Sequence, residues 1–113
     1  EMGASVVQIR DVGVAGLHRL LDQIEVIRSA DVAIVAAGRE GTLPSLVAGL
    51  VATPVIGLPV STGYGLGGSG EAALTSMLQS CAVLTTVNID AGFVAGAQAG
   101  MIAKSISQAR TQK

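Results

Sequence analysis

The chain has 113 residues, half of them apolar, with a formal net charge of −1 and no run of like charges. That is enough to bury one core, gives no reason to look for a second domain, and lacks the basic footprint of a nucleic-acid or anionic-membrane binder. Apolar runs are cut by Gly or Pro well short of the ~18 residues a membrane span needs, and the single Cys81 cannot close an internal disulfide, so a soluble protein of the reducing cytoplasm is expected.

Taken in order, Ser5–Ile9 is short and β-branched and predicts a strand, ending at Arg10 and Asp11. A turn over Gly13–Gly16 follows. Leu17, Leu20, Leu21, Ile24 and Ile27 then fall on one helical stripe, with Arg19, Asp22 and Glu25 away from it. Asp31–Ala37 is a nearly continuous apolar run, the pattern of a strand covered on both faces in a parallel sheet. Thr42 is placed to cap the next helix and Pro44 suits its first turn, with Leu43, Leu46, Val47 and Leu50 on the buried side. The unit repeats: Pro54–Val60 is a buried strand, Ser61–Gly70 a glycine-rich loop, and Glu71–Ser80 a helix whose Leu74, Met77 and Leu78 face inward. Leu84–Ile89 is the fourth strand, and a last helix runs from about Val94 to Ser107, leaving Gln108–Lys113 as a fraying tail. Gly92, Gly96 and Gly100, spaced by four, give that helix a face that lets another backbone approach closely. With 15 Gly, no Trp, one Phe and one Tyr, the core packs small side chains, and surplus apolar surface predicts a homo-oligomer.

Strand, loop and helix in alternation predict parallel strands joined by crossovers, a three-layer α/β sheet of flavodoxin-like type. In such sheets ligands bind beyond the carboxyl ends of the strands. Arg10 and Asp11, Gly38 to Gly41, Ser61 to Tyr64, and Asn88 and Asp90 all fall there. Each taken singly is an ordinary turn residue, but one rim gathers them. The loop STGYGLGGSG (61–70) has five glycines beside a helix start, which suits a phosphate, although it is neither a dinucleotide-binding fingerprint nor a P-loop; a merely flexible loop is its equal rival. His18, near a helix start, is able to move protons near neutral pH or simply to lie on the surface. Cys81 follows a helix and lies at the opposite end of the sheet from this rim, where geometry alone predicts an inert buried thiol.

Five stretches resemble a known family. DVGVAGLHRLL (11–21), AGREGTLPSLVAGL (37–50), PVIGLPVSTGYG (54–65), MLQSCA (77–82) and VNIDAGF (87–93) resemble, in order, the carboxyl-terminal half of the pyridinium-3,5-biscarboxylic acid mononucleotide synthases. These carboxylases begin nickel-pincer nucleotide cofactor synthesis, and their catalytic domain is related to the class I phosphoribosylaminoimidazole carboxylases. The resemblance covers roughly residues 5–104, with Ala91 standing where the family usually carries Asn.

The resemblance implies one partial catalytic domain over residues 1–113. It also implies an earlier strand, a Ser/Thr-Ser-Asp loop and a helix, absent here, the strand lying between Ser5–Ile9 and Asp31–Ala37. The implied substrate is nicotinic acid adenine dinucleotide, carboxylated on its pyridinium ring with bicarbonate or carbon dioxide as co-substrate and cut at the phosphoanhydride to release AMP. No tightly bound cofactor is implied, and magnesium is left open. Cys81 matches the family's nucleophilic cysteine. Glu40 matches its acidic residue, for proton removal or thiol activation, and His18 with Arg19 matches the pair that sits by the substrate in the related purine enzymes. Asp11, Gly38, Gly41, Ser61, Gly63, Tyr64, Gly65 and Asp90 complete the implied binding set. The implied assembly is an octamer or smaller homo-oligomer with shared active sites. Two other readings stay open: an aminoimidazole ribonucleotide carboxylase or mutase of the purine pathway that uses His18 without Cys81, and an inactive fragment serving only for oligomerisation or binding.

Overall fold

Among the described residues, three parallel strands make one open sheet in the order β1 (Ala33–Ala37), β2 (Val55–Pro59) and β3 (Thr85–Thr86). The computed structural model describes residues 4–10, 16–39, 41–61 and 69–112. Its helices are α1 (Leu17–Asp22), α2 (Ile24–Ser29), α3 (Thr42–Leu50), α4 (Glu71–Leu78) and α5 (Gly92–Thr111). β2 is central because its sequence suits it: Val55, Ile56, Gly57 and Pro59 are all buried, and Val55 and Ile56 supply the β-branched bulk a covered strand needs.

The layers follow from the strand alternation. A Cβ built on Gly57 would lie 2.8 Å from the Met77 sulfur of α4, whereas one on Gly92 of α5 would lie 3.9 Å from Leu58. Neighbouring strand residues point to opposite faces, so α4 and α5 cover opposite sides of β2. α3 packs beside α4, touching β1 and β2. Their contact is close at Gly41, where an added Cβ would fall 2.5 Å from the Ala73 carbonyl oxygen. Leu20, Val47, Ala48 and Val55 form the core, with Ile27, Val35, Leu43, Leu46 and Leu50 packed against it. The result is the flavodoxin-like α/β architecture that the sequence predicts.

Several expectations are corrected. Ser5–Ile9 forms no strand: the run is outside helix and sheet, with Val6 81% exposed. β-branched residues make a strand only where a ladder partner exists, and β1 does not pair with this run. The predicted first helix breaks at Gln23 into α1 and α2, and of its stripe only Leu20 is fully buried, while Leu17 and Leu21 are exposed. β1 alternates between half-buried and exposed residues and is therefore not covered on both faces. The cap of α3 is Gly41, not Thr42, with no side-chain capping bond. Leu78 points outward, the buried positions of α4 being Ala73 and Met77. β3 is two residues long rather than six. The predicted polar tail continues α5 as helix to Thr111, where Arg110 reaches Asp31 at 3.1 Å and its charge suits a helix carboxyl end. No described helix is long and apolar enough to cross a membrane.

Candidate functional site

The carboxyl end of the sheet is a hydrogen-bonded corner. Val60 N–H donates to the Ala37 carbonyl at 3.0 Å and Val87 N–H to Gly57 at 3.1 Å, so the strands stay aligned as they run into their loops. Beyond β3 the chain turns at Asn88–Asp90 into α5. Asp90 N–H donates to the Pro59 carbonyl at 2.8 Å, and its Oδ1 accepts from the Ser61 N–H at 2.9 Å while its Oδ2 accepts from the Ser61 hydroxyl. These two bonds, the side-chain one first, hold the Asp90 carboxyl below its ordinary value of 3.8, because they favour the charged form. Asp90 has a φ of 61°, an uncommon region for a side-chain-bearing residue that Asp tolerates better than most. Gly70, at φ 88°, starts α4 on the other side of this corner, where an added Cβ would lie 2.8 Å from Ile89. That position requires glycine both for its backbone and for its lack of volume.

A second feature runs along α4. An open groove of about 910 Å³ lies between the start of α3 and the outer face of α4, reaching from Thr42 and Glu71 to Ser80 and Cys81. Glu71, Thr75 and Gln79 recur every four residues, which puts them on one face of the helix, and Ser45 faces them from α3. Cys81 is exposed, not sealed. The expected burial fails because α4 ends at Leu78 and the segment before β3 turns Ala82 and Leu84 toward the core while Gln79, Cys81 and Val83 face outward. The lining brings hydroxyl, amide and carboxylate groups together beside Ala72 and Ala82, with a thiol at one end. α4 is roughly 12 Å long at 1.5 Å per residue, so the thiol stands about a helix length from the corner in the same chain.

The other predicted residues divide. His18 and Arg19 lie exposed on α1, and the Arg19 guanidinium folds back over Gly16, within 2.5 Å of where a Cβ there would sit. Gly38 is half-buried just past β1, and Gly41 is buried against α4, so packing alone accounts for a glycine there. Glu40, Asp11, Gly63, Tyr64 and Gly65 lie outside the described residues. Among the described residues no three His, Cys, Asp or Glu side chains gather as a metal-holding group. The predicted strand ends point to the rim. The polar face of α4 is not among the predicted sites, although the four-residue spacing of Glu71, Thr75 and Gln79 carries the signal.

Comparison with known proteins adds an independent line. The sequence matches the family described as AIR carboxylase over residues 5–113. It is 47% identical over 106 residues to an uncharacterized protein of Methanocaldococcus jannaschii, a match taking in 91% of this chain and 40% of that protein. The chain thus spans about 40% of the length of the curated relative it matches.

Proposed function

Since this chain belongs to the AIR carboxylase family, we propose that it carries the catalytic part of a carboxylase acting on the pyridinium ring of nicotinic acid adenine dinucleotide. One observation supports the reading above others: the only thiol in the sequence is exposed in a groove lined by polar side chains. A pyridinium ring is too electron-poor to attack carbon dioxide. Addition of the Cys81 thiolate to the ring carbon beside the target forms a C–S bond and turns the ring into an enamine. The adjacent carbon then attacks carbon dioxide and forms the C–C bond. Loss of that carbon's proton to a base, with the C–S electrons returning to sulfur, restores the aromatic ring with its new carboxylate. Water then cleaves the phosphoanhydride and releases AMP. Glu40 is proposed as the base, and His18 and Arg19 as the residues that handle protons and hold the carboxylate.

The separation of Cys81 from the corner fits a shared site, one protomer's thiol serving the rim of its neighbour. The exposed surface supports such an assembly. The chain exposes 7236 Å², against about 5,700 Å² for a folded monomer of 11.2 kDa. Phe93 and Val83, 88% and 92% exposed, are among the apolar residues an interface would cover.

A second reading is favoured by the family match itself: carboxylation or carboxylate migration on an aminoimidazole ribonucleotide, in which His18 acts and Cys81 is dispensable. One experiment separates the two. This chain and a longer protein containing it are incubated with nicotinic acid adenine dinucleotide and labelled bicarbonate. The expected result is release of AMP and label in the pyridinium product, both abolished by Cys81→Ser. Full turnover of the dinucleotide by Cys81→Ser removes the thiol mechanism, carboxylation of an aminoimidazole ribonucleotide in its place by both wild type and Cys81→Ser favours the second reading, and no AMP from either protein removes the first.

A further inference from the structure

The corner at the carboxyl end of the sheet has a polarity that can be read from its hydrogen bonds. An ionised carboxylate only accepts, and a serine hydroxyl has one proton to donate. The Ser61 proton is committed to Asp90 Oδ2, and the Ser61 N–H to Asp90 Oδ1. Both side chains are exposed. They therefore meet an incoming group with a negative charge and free lone pairs, and with no proton left to offer. A phosphate oxygen, itself an anion and an acceptor, is repelled by that pair. A sugar hydroxyl or an amide N–H is received by it. The arrangement is held from behind, since Asp90 N–H is tied to Pro59 and its backbone is kept in the left-handed region.

We propose that Asp90 is a positioning residue that fixes Ser61 as a hydrogen-bond acceptor, making this corner a subsite for a sugar hydroxyl of the substrate and not for its phosphates. This deepens the reading of a nucleotide substrate given above and rests on it for the ligand's class. It also divides labour on the rim: the phosphates must be held by other groups, while Ser61 and Asp90 read the ribose.

The test titrates the full chain with AMP and with 2′,3′-dideoxy-AMP, which keeps the base and the phosphate and lacks the ribose hydroxyls. The wild type is expected to bind AMP about tenfold more tightly, the size of two ordinary hydrogen bonds. Ser61→Ala removes the acceptor. Asp90→Gly keeps the positive φ without strain and removes the carboxylate. Both are expected to lower the preference below about twofold, with circular dichroism and Tm reporting that each is folded. Asp90→Asn keeps the bond from Ser61 N–H to its amide oxygen and turns its NH₂ toward the hydroxyl, releasing the Ser61 proton. It is expected to lose the AMP preference while inorganic pyrophosphate becomes the better competitor. A wild type that binds both nucleotides equally, or neither, overturns the proposal, as does a full AMP preference surviving in Ser61→Ala and Asp90→Gly. The carboxylation reading fails separately. A ribose preference without AMP release from the dinucleotide keeps the subsite alone, and AMP release without a ribose preference keeps only the carboxylation.

Discussion

The two ends of α4 are built on opposite plans. At its amino end, Gly70 sits against Ile89, and Ser61 and Asp90 are joined through backbone and side chain across two loops. At its carboxyl end, Gln79 and Ser80 N–H close the helix on the Thr75 and Met77 carbonyls and Ala82 N–H donates to the Ser80 hydroxyl at 3.1 Å, while Cys81 stands in an open groove with no described side chain bonded across loops to fix it. A subsite gains from partners that fix its donors and acceptors before the ligand arrives. A nucleophile gains from staying accessible. On the proposed reading, recognition falls to one end and bond-making to the other.

The largest expected effect breaks the bond-making end. Cys81→Ser is expected to reduce carboxylation on the order of a thousandfold or more while shifting stability by no more than about 0.5 kcal/mol, because an exposed side chain away from the core contributes little packing. Carboxylation rate and denaturation midpoint, measured on the same sample, check both halves. Next comes the element both ends share. Gly41→Val drives a branched side chain against the α4 backbone at Ala73 and Met77, and is expected to cost about 3 kcal/mol, at the upper end for overpacking, read from urea denaturation. A smaller effect sharpens the recognition end. The folded Asp90 carboxyl titrates below its ordinary 3.8, so the stability it adds is present above that value and is lost as pH falls through the lower folded value. The difference in Tm between wild type and Asp90→Asn is therefore expected to stay constant from pH 7 to pH 5 and to vanish only below about pH 3.8. The smallest lies away from both ends. Nothing stands within 4 Å of a Cβ built on Gly96, so Gly96→Ala is expected to stabilise an isolated chain by up to about 1 kcal/mol through helix propensity. If a neighbouring copy packs on that face, the same change weakens association, visible by sedimentation.

Much of this was legible in the sequence where burial alone decides structure. Val55–Pro59, Thr42–Leu50 and Glu71–Leu78 lie within a residue or two of the predicted strand and helices, because each carries a one-sided or two-sided apolar pattern. The misses have other causes. Ser5–Ile9 has the composition of a strand, but a strand is a property of two segments, and its partner cannot be read from its own residues. Leu78 continues an apolar spacing that the end of α4 interrupts, so it turns outward. Cys81 is exposed where a buried thiol is expected, since α4 ends at Leu78, two residues before the predicted Ser80. Ser61 and Asp90 were each placed on the rim, but 29 residues apart nothing local announces that they bind one another. The groove was missed because its wall is a polar helix face, which sequence reading assigns to solvent.

The brevity of β3 acquires a meaning from that corner. Two ladder residues, Thr85 and Thr86, would leave an edge strand free to slip, yet Asp90 clamps the chain to Pro59 and Ser61 just past its end. The rivet replaces rungs. Residues 88 and 89 are thereby relieved of pleat geometry, and the turn from β3 into α5 can be reshaped in composition without unzipping the sheet it borders.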